Sequence, residues 1–191
     1  MIVKFYFDTA IFFCFRNYDM SIGQVGQMTI VKAELVDCEL INRMAWVAFP
    51  HTYREMLSKE QIEYMMHWMY DVENLKKQMQ EQKHEYFIAY CDNAPAGYIS
   101  IRPDREDCYH LEKIYVMPDF QRKHYGDTMF DFVVEYIKSN YPEIRTLELN
   151  VNRDNSAVNF YRRKGMRIDH QGDFHIGHNF YMNDYIMRLD F

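Results

Sequence analysis

Residues 121–126 read Gln-Arg-Lys-His-Tyr-Gly and stand directly before an amphipathic run that begins near Asp127. Cationic side chains in a turn that opens a helix are the ingredients of an anion site, because the unsatisfied N–H groups and the helix dipole both favour negative charge there. A phosphate-bearing ligand is the chemistry this implies; a solvated basic turn is the other reading. His170, His175 and His178 cluster toward the C-terminus, but their intervals match no recognised ligand pattern and no metal is expected. Cys14, Cys38, Cys91 and Cys108 are far apart and form no C-x-x-C pair. Neither a disulfide framework nor a thiolate metal site is implied, and a reduced, cytoplasmic setting fits.

The loop needs a strand before it and a helix after it. His110–Val116 is a short apolar run, and Pro118, which cannot donate to a ladder, marks its end. From about Asp127 the period becomes helical, with Met129, Phe132, Val133, Tyr136 and Ile137 on one face and Tyr141-Pro142 as the stop. Thr146–Val151 alternates as a strand with Leu147, Leu149 and Val151 on one side. Asn155 is placed to cap a helix carrying Ala157, Phe160 and Tyr161, which ends at Gly165 as a left-handed residue. Strand, crossover helix and strand together predict a parallel pair with a right-handed connection.

These stretches resemble the GNAT superfamily of acyl-CoA-dependent N-acetyltransferases. The family's loop reads Gln/Arg-x-x-Gly-x-Gly/Ala, and this chain has Gln121-x-x-His124-x-Gly126, with histidine in place of the first glycine. LEKIYVMP before the loop, LELNVN after it, and Asn155-x-Ala157-x-x-Phe160-Tyr161-x-x-x-Gly165-Met166 share the likeness. The C-terminal GDFHIGHNFYMNDYIM is most similar to bacterial polyamine N-acetyltransferases of the PaiA type.

The resemblance implies an α/β, single-domain GNAT fold, a mixed central β-sheet flanked by helices, with acetyl-CoA as cosubstrate and no metal. The pantetheine arm of the donor is expected along the backbone of Ile114, Tyr115 and Val116, and its pyrophosphate on Gln121, Arg122, Lys123, His124, Tyr125 and Gly126. Asn152 and Asn155 are expected donor-side contacts, although helix capping alone would also account for Asn155. Tyr161 is the implied general acid toward the CoA thiolate; a phenol with a reference pKa of about 10 stays protonated at neutral pH. A core tyrosine beside Phe160 is its plainer reading. Glu112 is the candidate general base: alternation puts it on the face of Ile114 and Val116, where desolvation would raise its pKa. Otherwise it is a salt-bridging or substrate-orienting carboxylate. His124 introduces strain of roughly 1 kcal/mol if the loop needs positive φ there, which Arg122 and Lys123 could offset through charge-assisted contacts.

The implied acceptor is a small amine or polyamine. Two other classes stay open, a protein or peptide N-acetyltransferase and a non-catalytic acyl-CoA-binding regulator. His51, Tyr53, Trp68 and Tyr70 are candidates to line the acceptor side, with an acidic or aromatic group among Asp173, Phe174, Tyr181, Asp184 and Tyr185 facing the amine. A homodimer is left open.

The rest of the chain fits one such domain. Its 191 residues, 48% hydrophobic and 26% charged, have ample length for one core. A net charge of −6 argues against a nucleic-acid partner and suits a cationic substrate. Residues 1–27 stand apart from the domain pattern, which opens at Met28. Their apolar stretch Ala10–Phe15 is bracketed by Asp8 and Arg16, too short for a membrane span and a poor signal peptide. Met20 or Met28 as the natural start, or an extra strand or partner-binding segment, are the expectations for them. Further on, Asp37–Phe49 predicts a helix stopped by Pro50. Ser58-Lys59-Glu60-Gln61 has capping-box spacing before one helix striped by Ile62, Met65, Met66, Met69, Val72 and Leu75. His84–Tyr90 and Ala96–Ile101 predict antiparallel strands about a turn at residues 91–95. The order is β-α-α-β-β-β-α-β-α-β-β.

Overall fold

The computed structural model describes residues 28–191; the expectations for residues 1–27 lie outside the described residues. The elements are β1 (Met28–Lys32), α1 (Cys38–Tyr53), α2 (Lys59–Tyr70), α3 (Val72–Gln80), β2 (Glu85–Cys91), β3 (Ala94–Arg105) and β4 (Cys108–Val116). They continue with α4 (Tyr125–Asn140), β5 (Thr146–Asn152), α5 (Ala157–Arg163), β6 (Arg167–Gly177) and β7 (Phe180–Asp190). Seven strands form one mixed sheet in the order β1-β2-β3-β4-β5-β7-β6. Alternating side chains divide between two cores. Phe87, Ile99 and Leu111 join Met129, Phe130 and Val133 of α4 on one face, while Tyr86, Ile88 and Tyr98 join Ile41, Phe49 and Met66 of α1 and α2 on the other.

Three sequence expectations are corrected. Helix α1 runs through Pro50 to Tyr53. Proline's missing N–H affects only the last turn, and the Arg54 N–H still closes on the Pro50 carbonyl at 3.0 Å. The stripe from Ile62 to Leu75 is two helices, broken at Asp71, whose ψ of 138° is extended. Ser58 does cap α2, its oxygen accepting from the Gln61 N–H at 3.1 Å, but the Gln61 amide reaches the Tyr181 carbonyl at 2.9 Å and ties α2 to the closing hairpin.

Two irregularities beside β4 shape the middle of the sheet. Lys113 pairs with Ser100 and Leu111 with Ile101, so Glu112 is the extra residue of a β-bulge. Strands β4 and β5 are the predicted parallel pair, but they bridge only through Cys108, Tyr109 and His110 with Thr146, Leu147 and Glu148. Past that point each continues without the other, and the sheet splits open.

Candidate active site

A cleft of about 500 Å³ occupies the split, walled by Leu111, Glu112, Ile114, Tyr115 and Val116 of β4 on one side and Asn150 and Val151 of β5 on the other. The end of α1, with the segment after it, contributes His51, Tyr53, Glu55 and Met56; Gln121 and residues 154–157 complete the rim, and Tyr161 lies in the lining. Among the predicted site residues, Glu112, Ile114, Tyr115, Val116, Gln121, Asn155 and Tyr161 therefore meet in one place. So do His51 and Tyr53 of the proposed acceptor side, whereas Trp68 is exposed on α2 and Tyr70 is fully buried beneath it.

Backbone left unpaired where two strands diverge presents donors and acceptors to an extended ligand, as an exposed sheet edge does. The Gln121 side chain folds over the end of β4, donating to the Val116 carbonyl at 3.1 Å. Beyond it the loop turns through Arg122 at φ 61° and His124 at φ 62°, and both side chains are exposed. The turn thus demands the left-handed conformation at the position where the resembled loop has glycine. The His124 ring contacts Asp127 at 3.3 Å within the first turn of α4, and the His124 side chain makes no capping bond to that helix. Lys123 donates to the Asp119 carbonyl at 3.0 Å. Tyr125 is not available to a phosphate through its side chain: the ring is buried and its hydroxyl lies 2.8 Å from Cys91 Sγ. Gly126 packs near Val116 and Phe160 with ordinary contact distances around the place of a Cβ.

The two asparagines separate. Asn155 lines the cleft while its Oδ1 accepts from the Ala157 N–H at 2.9 Å, so one residue both starts α5 and faces the site. Asn152 is buried outside the cleft lining, and its Oδ1 is taken by the Asp154 N–H at 3.0 Å. Its side chain shapes the turn after β5.

Tyr161 is 8% exposed, and burial together with Tyr53 raises its phenol well above the ordinary range. Tyr53 lines the cleft with Tyr115 and Asn155, and its phenol is itself raised by burial. Three phenols that hold their protons thus line the cleft.

Glu112 departs from expectation. The bulge breaks the alternation, so that Leu111 and Ile114 both pack toward α4 while the Glu112 carboxylate meets Arg102 Nε at 2.6 Å. Burial pushes its pKa up, but His110, Lys113, Arg102 and His84 pull harder, and it ends below the ordinary carboxylate value. The anticipated rise is corrected: Glu112 is a committed anion. A buried acid, one of the C-terminal candidates to face the amine, lies behind the wall instead. Asp184 of β7 is 5% exposed, and its Oδ2 accepts from Asn150 Nδ2 at 3.3 Å. Its signal was positional, an acid between Met182 and Ile186 at strand spacing, where an inward apolar residue belongs.

The three C-terminal histidines each have a different neighbour: His170 contacts Asp169, while His175 packs at a tilt against Tyr181 and His178 against Tyr64. Asp104, Cys108 and Glu148 do lie within ligand distance of one another, but Arg105 pairs with both carboxylates and occupies the charge a metal would supply. No helix of the described residues is long and apolar enough to cross a membrane.

The profile of the Acetyltransferase (GNAT) domain matches residues 53–176, which includes most of the cleft. Among solved structures, the PaiA N-acetyltransferase from Thermoplasma acidophilum in complex with coenzyme A is similar at 23% identity. The match covers 86% of this chain and 99% of that one, with a TM-score of 0.71. A GCN5-related N-acetyltransferase from Rhodopseudomonas palustris gives 16% identity, coverage of 91% and 100%, and a TM-score of 0.73. The spermidine/spermine N-acetyltransferase SpeG from Vibrio cholerae, in mutant forms, gives 16% identity, coverage of 86% and 94%, and a TM-score of 0.63.

Proposed function

The chain belongs to the GNAT acetyltransferases, enzymes that draw on acetyl-CoA, and from that premise we propose that its acceptor is a small primary amine, with polyamines the favoured class. One observation carries the choice: among the described residues, Glu55, Glu112 and Asp154 line the cleft and no lysine or arginine does. A concave surface of one sign, walled by low-dielectric protein, concentrates ligands of the opposite sign. PaiA and SpeG, the first resembling this chain in fold with coenzyme A bound and the second acting on spermidine and spermine, point the same way.

In this reading the thioester lies along the backbone of Ile114, Tyr115 and Val116, with Gln121 and the loop through Gly126 at the pyrophosphate end. The amine approaches from the side of His51, Tyr53 and Glu55. Its nitrogen attacks the thioester carbonyl, the C–S bond breaks, and Tyr161 gives its proton to the departing sulfur. Burial and Tyr53 keep the phenol protonated at neutral pH, so it carries the proton that step needs. Glu112, ionised and fixed by Arg102, orients the cation and takes no proton. The buried, free thiols of Cys38, Cys91 and Cys108 suit a reducing compartment.

The experiment is calorimetric titration with acetyl-CoA followed by thiol release with spermidine and a panel of small amines and peptides. Binding with turnover on a small amine is expected. Turnover on peptides alone would move the acceptor to a protein terminus, binding with no turnover would leave a CoA-binding regulator, and no binding would mean that the loop with His124 has lost its cradle.

A further inference from the structure

The small-amine reading leaves open which group takes the amine's proton, and the inference rests on that reading. Asp184 lies in β7 in register with Asn152 of β5 and Gly172 of β6. Strand alternation puts it on the face of Met182, which packs into the core under α1 and α2. Its Oδ2 is held by Asn150, a residue of the cleft wall. Its Oδ1 is buried with no hydrogen-bond partner, the sole buried side-chain atom so placed among the described residues. Leaving a buried acceptor unsatisfied costs about 1–3 kcal/mol, and more when it is charged. Such an atom in a native protein calls for a water, an ion, a ligand or a proton to complete it, or a catalytic role.

We propose that Asp184 Oδ1 receives the acceptor's ammonium group, across at most one water, and takes its proton, so that Asp184 and not Glu112 is the general base. Asn150 fixes the carboxylate against the wall, and Tyr53, whose phenol the Asp184 charge raises, stands in the lining beside Asn155 and Tyr115. Burial lifts the Asp184 carboxyl above its ordinary value while Asn150 and Arg153 restrain it, the reverse of Glu112. The groups around it from the packed elements are Asn150 and Asn152 of β5, Tyr53 of α1, and Arg153 after β5, which is paired with Asp173 of β6. Among these, Arg153 is the cation, and Asp173 offsets it.

The protons balance with both residues in place. The ammonium gives one proton to Asp184 and becomes the neutral nucleophile. Its lone pair forms the C–N bond as the C–S pair leaves with sulfur. Tyr161 protonates the thiolate and regains a proton from the new amide nitrogen. Asp184 releases the first proton to solvent after products leave.

Asp184→Asn tests it in the full chain, with acetyl-CoA affinity measured first and expected unchanged. At pH 7 the variant's kcat/KM with spermidine is expected to fall at least about 10²-fold. That deficit should narrow by about tenfold per pH unit toward the amine's own pKa near 10, as solvent does the deprotonation. Asp184→Glu should restore part of the rate at pH 7. A deficit constant with pH would mark a structural role and overturn the proposal, as would an Asp184→Asn rate equal to wild type. Should Asp184→Asn lose acetyl-CoA affinity, Asp184→Ser, which removes the carboxylate with less bulk, carries the same pH comparison. Wild-type protein that binds acetyl-CoA but acetylates no amine defeats the small-amine reading itself, a result distinct from wild-type turnover that Asp184→Asn leaves untouched.

Discussion

Tyr161 holds its proton because burial and its neighbour Tyr53 both disfavour the phenolate. Tyr161→Phe therefore should lower kcat by about 10²-fold through loss of the general acid, with acetyl-CoA affinity unchanged by calorimetry; full activity in that variant would assign the proton to water. His124 is a different case, since its role is conformational. At φ 62° it occupies backbone space that glycine enters without steric cost. Glycine in its place should remove strain of roughly 1 kcal/mol and leave acetyl-CoA affinity equal or tighter; a large loss would show that the imidazole itself contacts the donor. Both residues were legible in the sequence because each sits in a motif whose spacing is local. Glu112 was misread because one inserted residue in a ladder leaves no mark on a pattern of apolar and polar types, yet it turns the side chain from the α4 core to Arg102. At this position Glu112→Gln should weaken amine binding and leave the shape of the pH–rate profile intact, since a carboxylate already held below its ordinary pKa contributes no new limb.

The elements were read well where a period of two or 3.6 was long enough to be unambiguous, as in α4 and β5, and badly where a signal normally taken as a stop was absorbed. Pro50 sits in the final turn of α1, so the helix survives it, and the break at Asp71 falls inside an apolar stripe that both α2 and α3 continue. The splitting of β4 from β5 could not be read at all, because it depends on how far two strands remain adjacent and not on what either contains. Gly97 shows how closely that region is packed. A Cβ there would come within 2.6 Å of the Tyr115 carbonyl oxygen on the neighbouring strand and 2.8 Å of Met129. The methionine can move, but the backbone oxygen belongs to the strand that borders the cleft. Gly97→Ala should therefore cost about 1–3 kcal/mol, in the range of overpacked cores, and loosen acetyl-CoA binding as β4 shifts. Denaturant unfolding with parallel titration checks both; unchanged stability would mean that β3 and β4 separate more easily than their register implies.

At the scale of the molecule, the cation most at odds with its surroundings among the described residues lies between the sheet and the helices. Lys113, 6% exposed, hydrogen-bonds to Gln78 Oε1 at 3.1 Å, and sits 5.4 Å from the Tyr86 ring centroid and 5.7 Å from that of Tyr70. Two aromatic faces favour the cation modestly, but desolvation outweighs them and Glu112, and the ammonium is pushed down to about 8. Its unfolded value is about 10.4, so between those limits the unfolded chain binds more protons, and linkage makes stability rise with pH. The penalty is fully present below pH 8 and relieved above it, to an extent on the order of 3 kcal/mol at 1.36 kcal/mol per pKa unit. Opposing groups confine the window. Burial lifts Cys108 from 9.0 to about 11, so stability is lost as pH climbs through that interval. On the acid side burial and Lys113 lower His84 from 6.5 to about 4, so stability falls as pH drops between those values. Chemical denaturation should therefore find stability increasing from pH 8 to 9 in the wild-type protein and flat over the same interval in Lys113→Met, where Gln78 still accepts from the Tyr86 hydroxyl at 2.6 Å. The variant should also be the more stable at pH 7, because the thioether fills the same space without a charge to desolvate. Equal slopes in the two proteins would mean that Lys113 stays charged across the interval and that its tyrosines and Glu112 meet the whole cost of burying it.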